Sequence, residues 1–362
     1  MEGLEVNPAF WNSKRVLVTG HTGFKGSWLS LWLQSAGAVV AGYALAPPTT
    51  PSLFVEGRVE EGMTHIVGDV RDLDKLQSTI STFKPEIIFH MAAQPLVRHS
   101  YVDPVETYST NVMGTVNLLE AVRRSKGVRA VVNVTSDKCY ANKEWVWGYR
   151  ESDAMGGYDP YSSSKGCAEL VSAAYSTSFF NAADYLSHGV ALASARAGNV
   201  IGGGDWAQDR LIPDIIQSFA GGNTLVIRNP GAIRPWQHVL EPLRGYLILA
   251  QQLYEYGADF AGGWNFGPAD SDAKSVEWIV ENMAALWPEP VTWSVDDRRQ
   301  PHEAQFLKLD VSKAARRLQW QPKIDLITAL DHTIQWYQDW RNGSDMRAVT
   351  ISEIKSYQSS II

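Results

Sequence analysis

Apolar and polar positions follow a repeating order along the first half of the chain. Short apolar runs end in polar or glycine-rich turns, and stretches with apolar residues at helical spacing lie between them. The strand-like runs are residues 15–19, 38–42, 65–69, 86–90 and 130–134. Strands that alternate with helices predict a parallel, doubly wound sheet. We therefore expect an α/β fold of the Rossmann-like type.

Two helices carry clear start signals. Asp103-Pro104-Val105-Glu106 is a capping box with proline at the first helical position, and apolar spacing continues until Gly127 ends the pattern. This predicts a helix over residues 103–125. Asp159-Pro160 starts a second helix, which we expect to reach about residue 179.

The residue composition and the regular alternation of strands and helices change after Asn199. Residues 200–237 are rich in Gly, Pro and Asn, a helical stretch covers about 241–256, and residues 263–267 are compatible with a further strand of the main sheet. Six tryptophans in the last ninety or so residues favour a small aromatic lobe. We predict a first domain at 1–199, with a return segment at about 236–268, and a smaller mixed lobe at 200–362.

Composition excludes several classes of protein. The chain has 362 residues, a net charge of −7 and two cysteines. An acidic chain argues against a nucleic-acid surface, and two cysteines without ligand spacing argue against a disulfide framework or a metal site. No apolar run reaches the length of a membrane span, and the N-terminus lacks the order of a signal peptide. We expect a cytoplasmic protein.

A glycine-rich turn follows the first strand. Gly20, Gly23 and Gly26 form G-x-x-G-x-x-G between the strand and an apolar helix, which is the context of a dinucleotide-binding loop. The second strand then ends in Tyr43 and residues 44–48, without the acid that usually holds the adenosine ribose and without an arginine for a 2′-phosphate. The pattern favours NAD over NADP without deciding between them.

A second polar segment follows the fifth strand. Ser136-Asp137-Lys138-Cys139-Tyr140 should emerge at the carboxyl end of the sheet, where ligands bind in such folds. Tyr161 and Lys165 lie one helical turn apart in the next helix. An ammonium beside a phenol stabilises the phenolate, so Tyr161 is predicted to act as a base near neutral pH. Alone, this spacing is also typical of an ordinary exposed pair.

Four other candidates are given structural roles. Lys25, in the glycine loop, is expected to be solvated, and Cys139 to be a buried small hydrophobic residue. His90 and His99 lack the partner spacing of metal ligands. No metal site is predicted.

Taken together, these motifs resemble the extended short-chain dehydrogenase/reductases that act on nucleotide sugars. The resemblance covers nearly the whole chain, and several motifs occur in the same order. They are Gly20, Gly23 and Gly26, Gly68-Asp69-Val70, His90-Met91-Ala92-Ala93, Ser136, Tyr161 with Lys165, Arg196 with Asn199-Val200, and Arg234-Pro235-Trp236 with His238-Val239.

The pair Asp137-Lys138 narrows the resemblance. Most 4,6-dehydratases of the family carry Asp-Glu there, whereas epimerases carry small or apolar residues. Asp-Lys, with Gln94-Pro95 and the loop at 145–149, is similar to the branch whose substrate is CDP-glucose. The departure from Asp-Glu leaves open whether Lys138 is a base or an electrostatic stabiliser.

The resemblance implies a reaction in three steps. Tyr161, held by Lys165 and Ser136, takes the proton of the hydroxyl at carbon 4 while hydride passes to NAD. Asp137 then protonates the departing hydroxyl at carbon 6 as Lys138 removes the proton at carbon 5. Hydride finally returns to carbon 6. The product would be a 4-keto-6-deoxy sugar, a precursor of the deoxysugars of lipopolysaccharide O-antigen.

The resemblance also implies the site residues. The catalytic set is Ser136, Asp137, Lys138, Tyr161 and Lys165. The cofactor set is Gly20, Thr22, Gly23, Phe24, Gly26, Asp69, Val70, Ala92, Ala93, Tyr161 and Lys165. The substrate set is Gln94, Asn199, Arg228, Arg234 and Arg298, with Arg299 as a further candidate.

Oligomeric state and rival functions stay open. A homodimer or homotetramer is expected, through the helices at 103–125 and from residue 160. One rival is a 4-epimerase or net oxidoreductase that uses the same Tyr161 and Lys165. Others are a dehydratase of dTDP-, GDP- or UDP-sugars and a dinucleotide-binding regulator without activity.

Overall fold

The computed structural model describes residues 5–296 and 306–359. Its strands are β1 (Arg15–Thr19), β2 (Val39–Ala44), β3 (Thr64–Val67), β4 (Ile87–His90), β5 (Ala130–Val134), β6 (Ala191–Ala197), β7 (Asn199–Ile201), β8 (Leu225–Ile227), β9 (Ile233–His238), β10 (Gly262–Phe266), β11 (Ala273–Ser275) and β12 (Trp293–Val295).

The α-helices are α1 (Pro8–Trp11), α2 (Phe24–Ser35), α3 (Leu53–Glu56), α4 (Leu73–Phe83), α5 (Val97–Val102), α6 (Pro104–Tyr108), α7 (Gly114–Arg123), α8 (Pro160–Ser178), α9 (Tyr185–His188), α10 (Leu211–Ala220), α11 (Leu240–Tyr256), α12 (Val276–Leu286), α13 (Ser312–Arg317), α14 (Leu326–Arg341) and α15 (Met346–Ser359). Short 3₁₀ turns cover Asp137–Cys139, Ala182–Asp184, Gly257–Phe260 and Asp270–Asp272.

The main sheet has seven parallel strands in the order β10-β6-β5-β4-β1-β2-β3. This confirms the predicted doubly wound fold, with the order reversing between β1 and β4. Because side chains alternate along a strand, Val16 and Val18 join one core cluster and Leu17 joins another. The first cluster contains α2 and α11, and the second contains α4 and α7. Helices therefore cover both faces.

The chain returns to this sheet after a long excursion. β10 pairs with β6 in parallel, with Gly262 opposite Ala193 and Phe266 opposite Ala197. The strand expected at 263–267 is therefore present. The division of the chain at residue 199 stays a prediction.

The smaller elements form two further sheets, with strand orders β11-β9-β7 and β12-β8. Two of the tryptophans predicted to form a lobe, Trp336 and Trp340, make edge contacts with Trp206 at centroid distances of 5.6 and 5.3 Å. Trp287, Trp320 and Trp336 belong to the same core cluster as the main sheet, so a separate aromatic lobe stays a prediction. The β9-β7 pair is parallel and sets Asn199 opposite Trp236. This places β9 beside the carboxyl end of β6.

One predicted helix differs from the structure. The stretch at 103–125 is divided into α6, a π-helical turn at Ser109–Met113, and α7. Its start agrees with the sequence, because the Asp103 side chain accepts from Glu106 N at 2.8 Å. The π turn carries Asn111 inward, and such turns often occur at functional sites.

Within the described residues, no helix combines the length and apolar composition needed to cross a membrane.

Candidate active site

The glycine loop joins β1 to α2 at the carboxyl edge of the sheet. Gly20 has a φ of 76°, and a Cβ there would lie 2.7 Å from Ala92 N. A Cβ on Gly26 would collide with Gly20 O. Gly23 is the N-cap of α2 and offers no side-chain cap. Backbone N–H groups of the first turn can therefore face an anion such as a pyrophosphate.

In the region predicted to bind the adenosine part of the cofactor, several polar side chains already have hydrogen-bond partners within the protein. The Asp69 carboxylate pairs with Arg71, and Tyr43 donates its hydroxyl to Asp69 O at 2.8 Å. Thr22 Oγ1 donates to Leu45 O at 3.0 Å, and Val70 is buried. The Asp69 carboxylate is therefore already paired with Arg71 in the structure.

A histidine pair that the sequence analysis missed lies beside this loop. His21 Nε2 is 2.7 Å from His65 Nδ1, and both rings approach Phe54. Burial, and then the nearby His65, lower the pKa of His21 to about 3, so its ring is neutral. Gly42 leaves room for the ring, because a Cβ there would collide with it. The sequence shows no sign of this contact, because the two histidines are 44 positions apart.

Ser136 and Asp137 lie directly after β5, at the start of the 3₁₀ turn. Ser136 Oγ donates to Asp137 Oδ1 at 2.9 Å and accepts from Lys138 N at 3.3 Å. Asp137 is buried, and this burial raises its pKa despite the nearby positive charges of Lys138 and Arg234. The carboxyl is therefore suited to hold a proton. Gly198 faces it closely, since a Cβ there would lie 3.0 Å from Asp137 Oδ2.

Tyr161 and Lys165 occupy the first two turns of α8, as predicted. Asp159 caps this helix by accepting from Ser162 N at 2.9 Å. Both Tyr161 and Lys165 are buried, and Lys165 Nζ lies 6.0 Å from the centre of the Tyr161 ring. The two residues come together beside Ser136.

The predicted acidity of Tyr161 is wrong for the chain itself. Burial raises the pKa of the phenol to about 12, and the contact with Ser136 only partly offsets this, while nearby Asp137 raises the pKa further. Burial also lowers the pKa of Lys165 to about 8. Desolvation was underestimated because burial cannot be read from a spacing of four residues.

The predicted solvent exposure of Lys25 is also wrong. It is half-buried rather than solvated, and burial together with the positive charges of Lys165 and Arg210 lowers its pKa to about 8. The carboxylates of Asp137 and Asp205 act in the opposite direction. Arg210 Nη1 lies 2.9 Å from Asp205 Oδ2. The sequence analysis did not identify Lys25, Asp205 or Arg210 as part of this charged cluster.

Asn111 was also missed. Its Oδ1 accepts from Gln94 N at 2.8 Å, and its Nδ2 donates to Ser164 Oγ at 2.8 Å. Gln94 itself donates through Nε2 to Thr107 Oγ1 at 2.8 Å and accepts from Leu96 N. The Gln94 amide, predicted to contact substrate, is thus engaged within the protein. No sequence signal indicated Asn111, because its inward direction depends on the π turn at Ser109–Met113.

The predicted substrate residues fall into separate groups. Asn199 and Arg234 lie on the paired strands β7 and β9, and Arg234 is near enough to Asp137 to lower its pKa in part. Arg228 forms ion pairs with Asp209 at 3.3 Å and with Asp214 at 3.7 Å. Arg298 and Arg299 lie outside the described residues.

The remaining candidates have structural partners. His90 lies between Thr19 Oγ1 at 2.8 Å and Thr115 Oγ1 at 3.4 Å, and burial lowers its pKa to about 3. Cys139 is buried, as predicted. His99 pairs with Glu106 at 2.7 Å.

Comparison with known proteins agrees with this architecture. Residues 17–333 match the family model for GDP-mannose 4,6 dehydratase. A CDP-glucose 4,6-dehydratase from Salmonella typhimurium is 60% identical over 355 residues, which cover 98% of this chain and 99% of that protein. A dTDP-glucose 4,6-dehydratase from Streptomyces griseus is 27% identical over 90% of this chain and 95% of its own length.

Solved structures share the fold. A dTDP-glucose 4,6-dehydratase double mutant from Streptomyces venezuelae, determined with NAD bound, superposes with a TM-score of 0.76 at 23% identity, covering 92% of this chain and 99% of that one. The UDP-glucose 4-epimerase of Thermotoga maritima gives a TM-score of 0.77 at 20% identity, covering 90% and 99%.

Proposed function

The chain belongs to the GDP-mannose 4,6-dehydratase family, and from this premise we propose that it converts CDP-glucose to CDP-4-keto-6-deoxyglucose with NAD as its cofactor. The observation that carries the proposal is the 60% identity, over 98% of the chain, to a CDP-glucose 4,6-dehydratase. The buried carboxyl of Asp137, beside Ser136 and Lys138, supports a dehydration over a simple epimerisation.

The residues of the glycine loop fit NAD. The closely packed Gly20 and Gly26 bring the loop backbone against Ala92, and the uncapped start of α2 faces the position of a pyrophosphate. The end of β2 carries neither an acid nor an arginine, so nothing there favours a 2′-phosphate. Bound NAD would accept hydride from carbon 4 of the sugar and return it to carbon 6 after the loss of water, while carbon 5 takes up a proton.

Tyr161 acts as the base at the hydroxyl of carbon 4. Its pKa of about 12 in the chain alone makes it a poor base, so a further positive charge must reach it in the complex. A positively charged nicotinamide ring would be such a charge. The chain itself contributes the Arg210 guanidinium, which lowers the pKa of Tyr161, and Lys165 Nζ lies 6.0 Å from the centre of the Tyr161 ring. The neighbouring Ser136 hydroxyl also acts to lower the pKa of the phenol.

Asp137 acts as the acid at carbon 6. A carboxyl with a raised pKa keeps its proton closer to neutral pH and can deliver it to a leaving hydroxyl. Once carbon 4 is a ketone, the proton on carbon 5 becomes acidic. Lys138 follows Asp137 directly and is half-buried, so we assign it to this proton. Its second possible role is to stabilise the resulting enolate.

A substrate panel tests the proposal. We expect CDP-glucose to yield the 4-keto-6-deoxy chromophore at least tenfold faster than dTDP-, UDP- or GDP-glucose. A preference for dTDP-, UDP- or GDP-glucose would contradict the proposal that the substrate's nucleobase is cytosine. A product that keeps its hydroxyl at carbon 6, or net accumulation of NADH, would replace the dehydratase by an epimerase or oxidoreductase.

We propose that the active form is a homodimer. Val102, Val105, Met113 and Leu170 are 82%, 76%, 50% and 61% exposed, and they belong to the helical region of α5 to α8. Several exposed large apolar side chains on helices that contact one another support a protein interface in this region. Val105→Asp should shift the mass measured by light scattering from dimer to monomer, whereas Leu186→Asp on α9, fully exposed, should not. A tetramer in both variants would contradict this surface.

We also propose that the enzyme works in the cytoplasm and supplies a deoxysugar precursor of lipopolysaccharide O-antigen. The chemistry of the product supports this role. Loss of the gene should remove the corresponding deoxyhexose from the cell-surface polysaccharide. An unchanged sugar composition would contradict it.

A further inference from the structure

Three potential metal ligands converge away from the catalytic cluster. His238 ends β9, His332 lies on α14, and Glu353 lies on α15. His238 Nε2 is 3.2 Å from Glu353 Oε1, and His332 Nδ1 is 3.5 Å from the same oxygen. The three atoms all lie within 4.8 Å of one another.

These spacings suit a shared ion. Two ligands bound tetrahedrally at about 2.1 Å from a zinc ion are about 3.4 Å apart. The two separations from Glu353 Oε1, 3.2 and 3.5 Å, lie close to that value. The set of two histidines and one glutamate is also a known zinc combination.

The ligand atoms lack other hydrogen-bond partners. Among the described residues, His238 Nε2, His332 Nδ1 and Glu353 Oε1 are buried without an aligned hydrogen bond, although they lie close to one another. His238 is fully buried. Buried polar atoms of this kind are costly unless something satisfies them.

A direct hydrogen bond between the glutamate and each imidazole is the competing arrangement. It would need each N–H aimed at the carboxylate, and the directions here do not meet that requirement. The other nitrogen of His238, Nδ1, accepts a long hydrogen bond from Leu240 N at 3.5 Å, which favours a proton on Nε2. A metal ion bound at Nε2 would have to displace that proton.

We propose that His238, His332 and Glu353 bind one divalent transition-metal ion, with zinc the best match and water as the fourth ligand. The ion would take no part in the proposed dehydration, which uses other groups. It links α14 and α15 to β9, the strand that carries Arg234. Trp28 of α2 packs edge-on against His238 at a centroid distance of 6.1 Å. Metal would thus stiffen the scaffold behind both the substrate strand and the glycine loop.

Metal content measured on the untagged full chain tests the site. After treatment with a chelator and dialysis against a small excess of ZnCl₂, we expect one zinc per chain and a rise in Tm of about 5 °C. Glu353→Gln keeps the shape of the side chain, and His332→Asn changes a partly exposed position. Each should lower the zinc affinity at least tenfold and remove the rise in Tm.

His99→Gln is the matched control. It breaks another histidine–glutamate pair, with Glu106 at 2.7 Å, that belongs to no group of three ligands among the described residues. Zinc uptake should stay at one per chain. Co²⁺ should give visible d–d bands in the wild type and in His99→Gln but not in Glu353→Gln. Wild-type chain that binds no stoichiometric zinc, or equal uptake by all four proteins, would overturn the proposal.

Discussion

Burial sets the chemistry of single residues in this site more than neighbouring charge does. Asp137 and Tyr161 are both buried, and in both the pKa rises despite nearby groups that act to lower it. The raised pKa suits the acid role proposed for Asp137, because a general acid must carry a proton. It opposes the base role proposed for Tyr161. Under the proposed mechanism, desolvation therefore helps the acid and makes the base depend on a bound positive charge.

At Tyr161, the substitution Tyr161→Phe removes the proton acceptor and keeps the ring. We expect kcat to fall about 10²–10⁴-fold, because one positioned proton-transfer group is lost. NAD and CDP affinity, measured by calorimetry, should stay within about threefold of wild type. A variant that keeps more than about a tenth of the wild-type rate would contradict the assignment.

At Lys138, two roles separate by isotope exchange. If Lys138 is the base, Lys138→Ala should still oxidise carbon 4, visible as NADH absorbance, but should stall before elimination. It should also stop exchanging the carbon 5 hydrogen with deuterated solvent, as followed by NMR. Tyr161→Phe is the control, because it should show neither NADH nor exchange. Exchange at the wild-type rate in Lys138→Ala would leave Lys138 as an electrostatic stabiliser only.

At the scale of elements, the start of α8 positions the catalytic pair. The two carboxylate oxygens of Asp159 accept from Ser162 N at 2.9 Å and from Ser162 Oγ at 2.6 Å. Two hydrogen bonds therefore hold the first turn of the helix, which contains Tyr161. Asp72 caps α4 in the same way, by accepting from Lys75 N at 3.0 Å. The two caps are chemically alike, but α4 lies away from the catalytic residues.

Replacing each cap by alanine should separate stability from positioning. Asp159→Ala and Asp72→Ala should each lower the free energy of unfolding by about 1 kcal/mol. Only Asp159→Ala should also lower kcat, by about tenfold, because misplacing Tyr161 weakens proton transfer. Urea unfolding and steady-state kinetics measure the two effects. Equal loss of kcat in both variants would mean that the cap of α8 has no positioning role.

The elements also show which local signals are readable. The caps at Asp103 and Asp159 were predicted, because a capping residue acts on N–H groups only a few positions away. The π turn at Ser109–Met113 was not, since it depends on how α6 and α7 pack against α8. The inward direction of Asn111 follows from that packing. Its role in holding Gln94 could not be predicted from sequence.

At the scale of the whole molecule, the parallel sheet was predictable because its strands are buried on both faces and read as continuous apolar runs. The charged cluster of Lys25, Asp205 and Arg210 was not. Lys25 is separated from Asp205 by most of the sheet-forming half of the chain, and both lie near Asp137 only in the fold. The same holds for His238, His332 and Glu353, which come from three separate elements. Contacts between distant segments leave no periodic signal in sequence.

The proposed reaction also requires the hydride removed from carbon 4 to return to the same sugar at carbon 6. In the proposed reaction, Tyr161, Asp137 and Lys138 act at three carbons of one bound sugar, so the sugar must stay in place until the hydride is returned. Deuterium at carbon 4 of CDP-glucose should therefore appear at carbon 6 of the product, as measured by mass spectrometry and NMR, without net consumption of NAD. A mixture of deuterated substrate with substrate labelled by ¹³C is the control. Product that carries both labels would show that the intermediate leaves before the hydride returns, and would contradict a cycle closed within one active site.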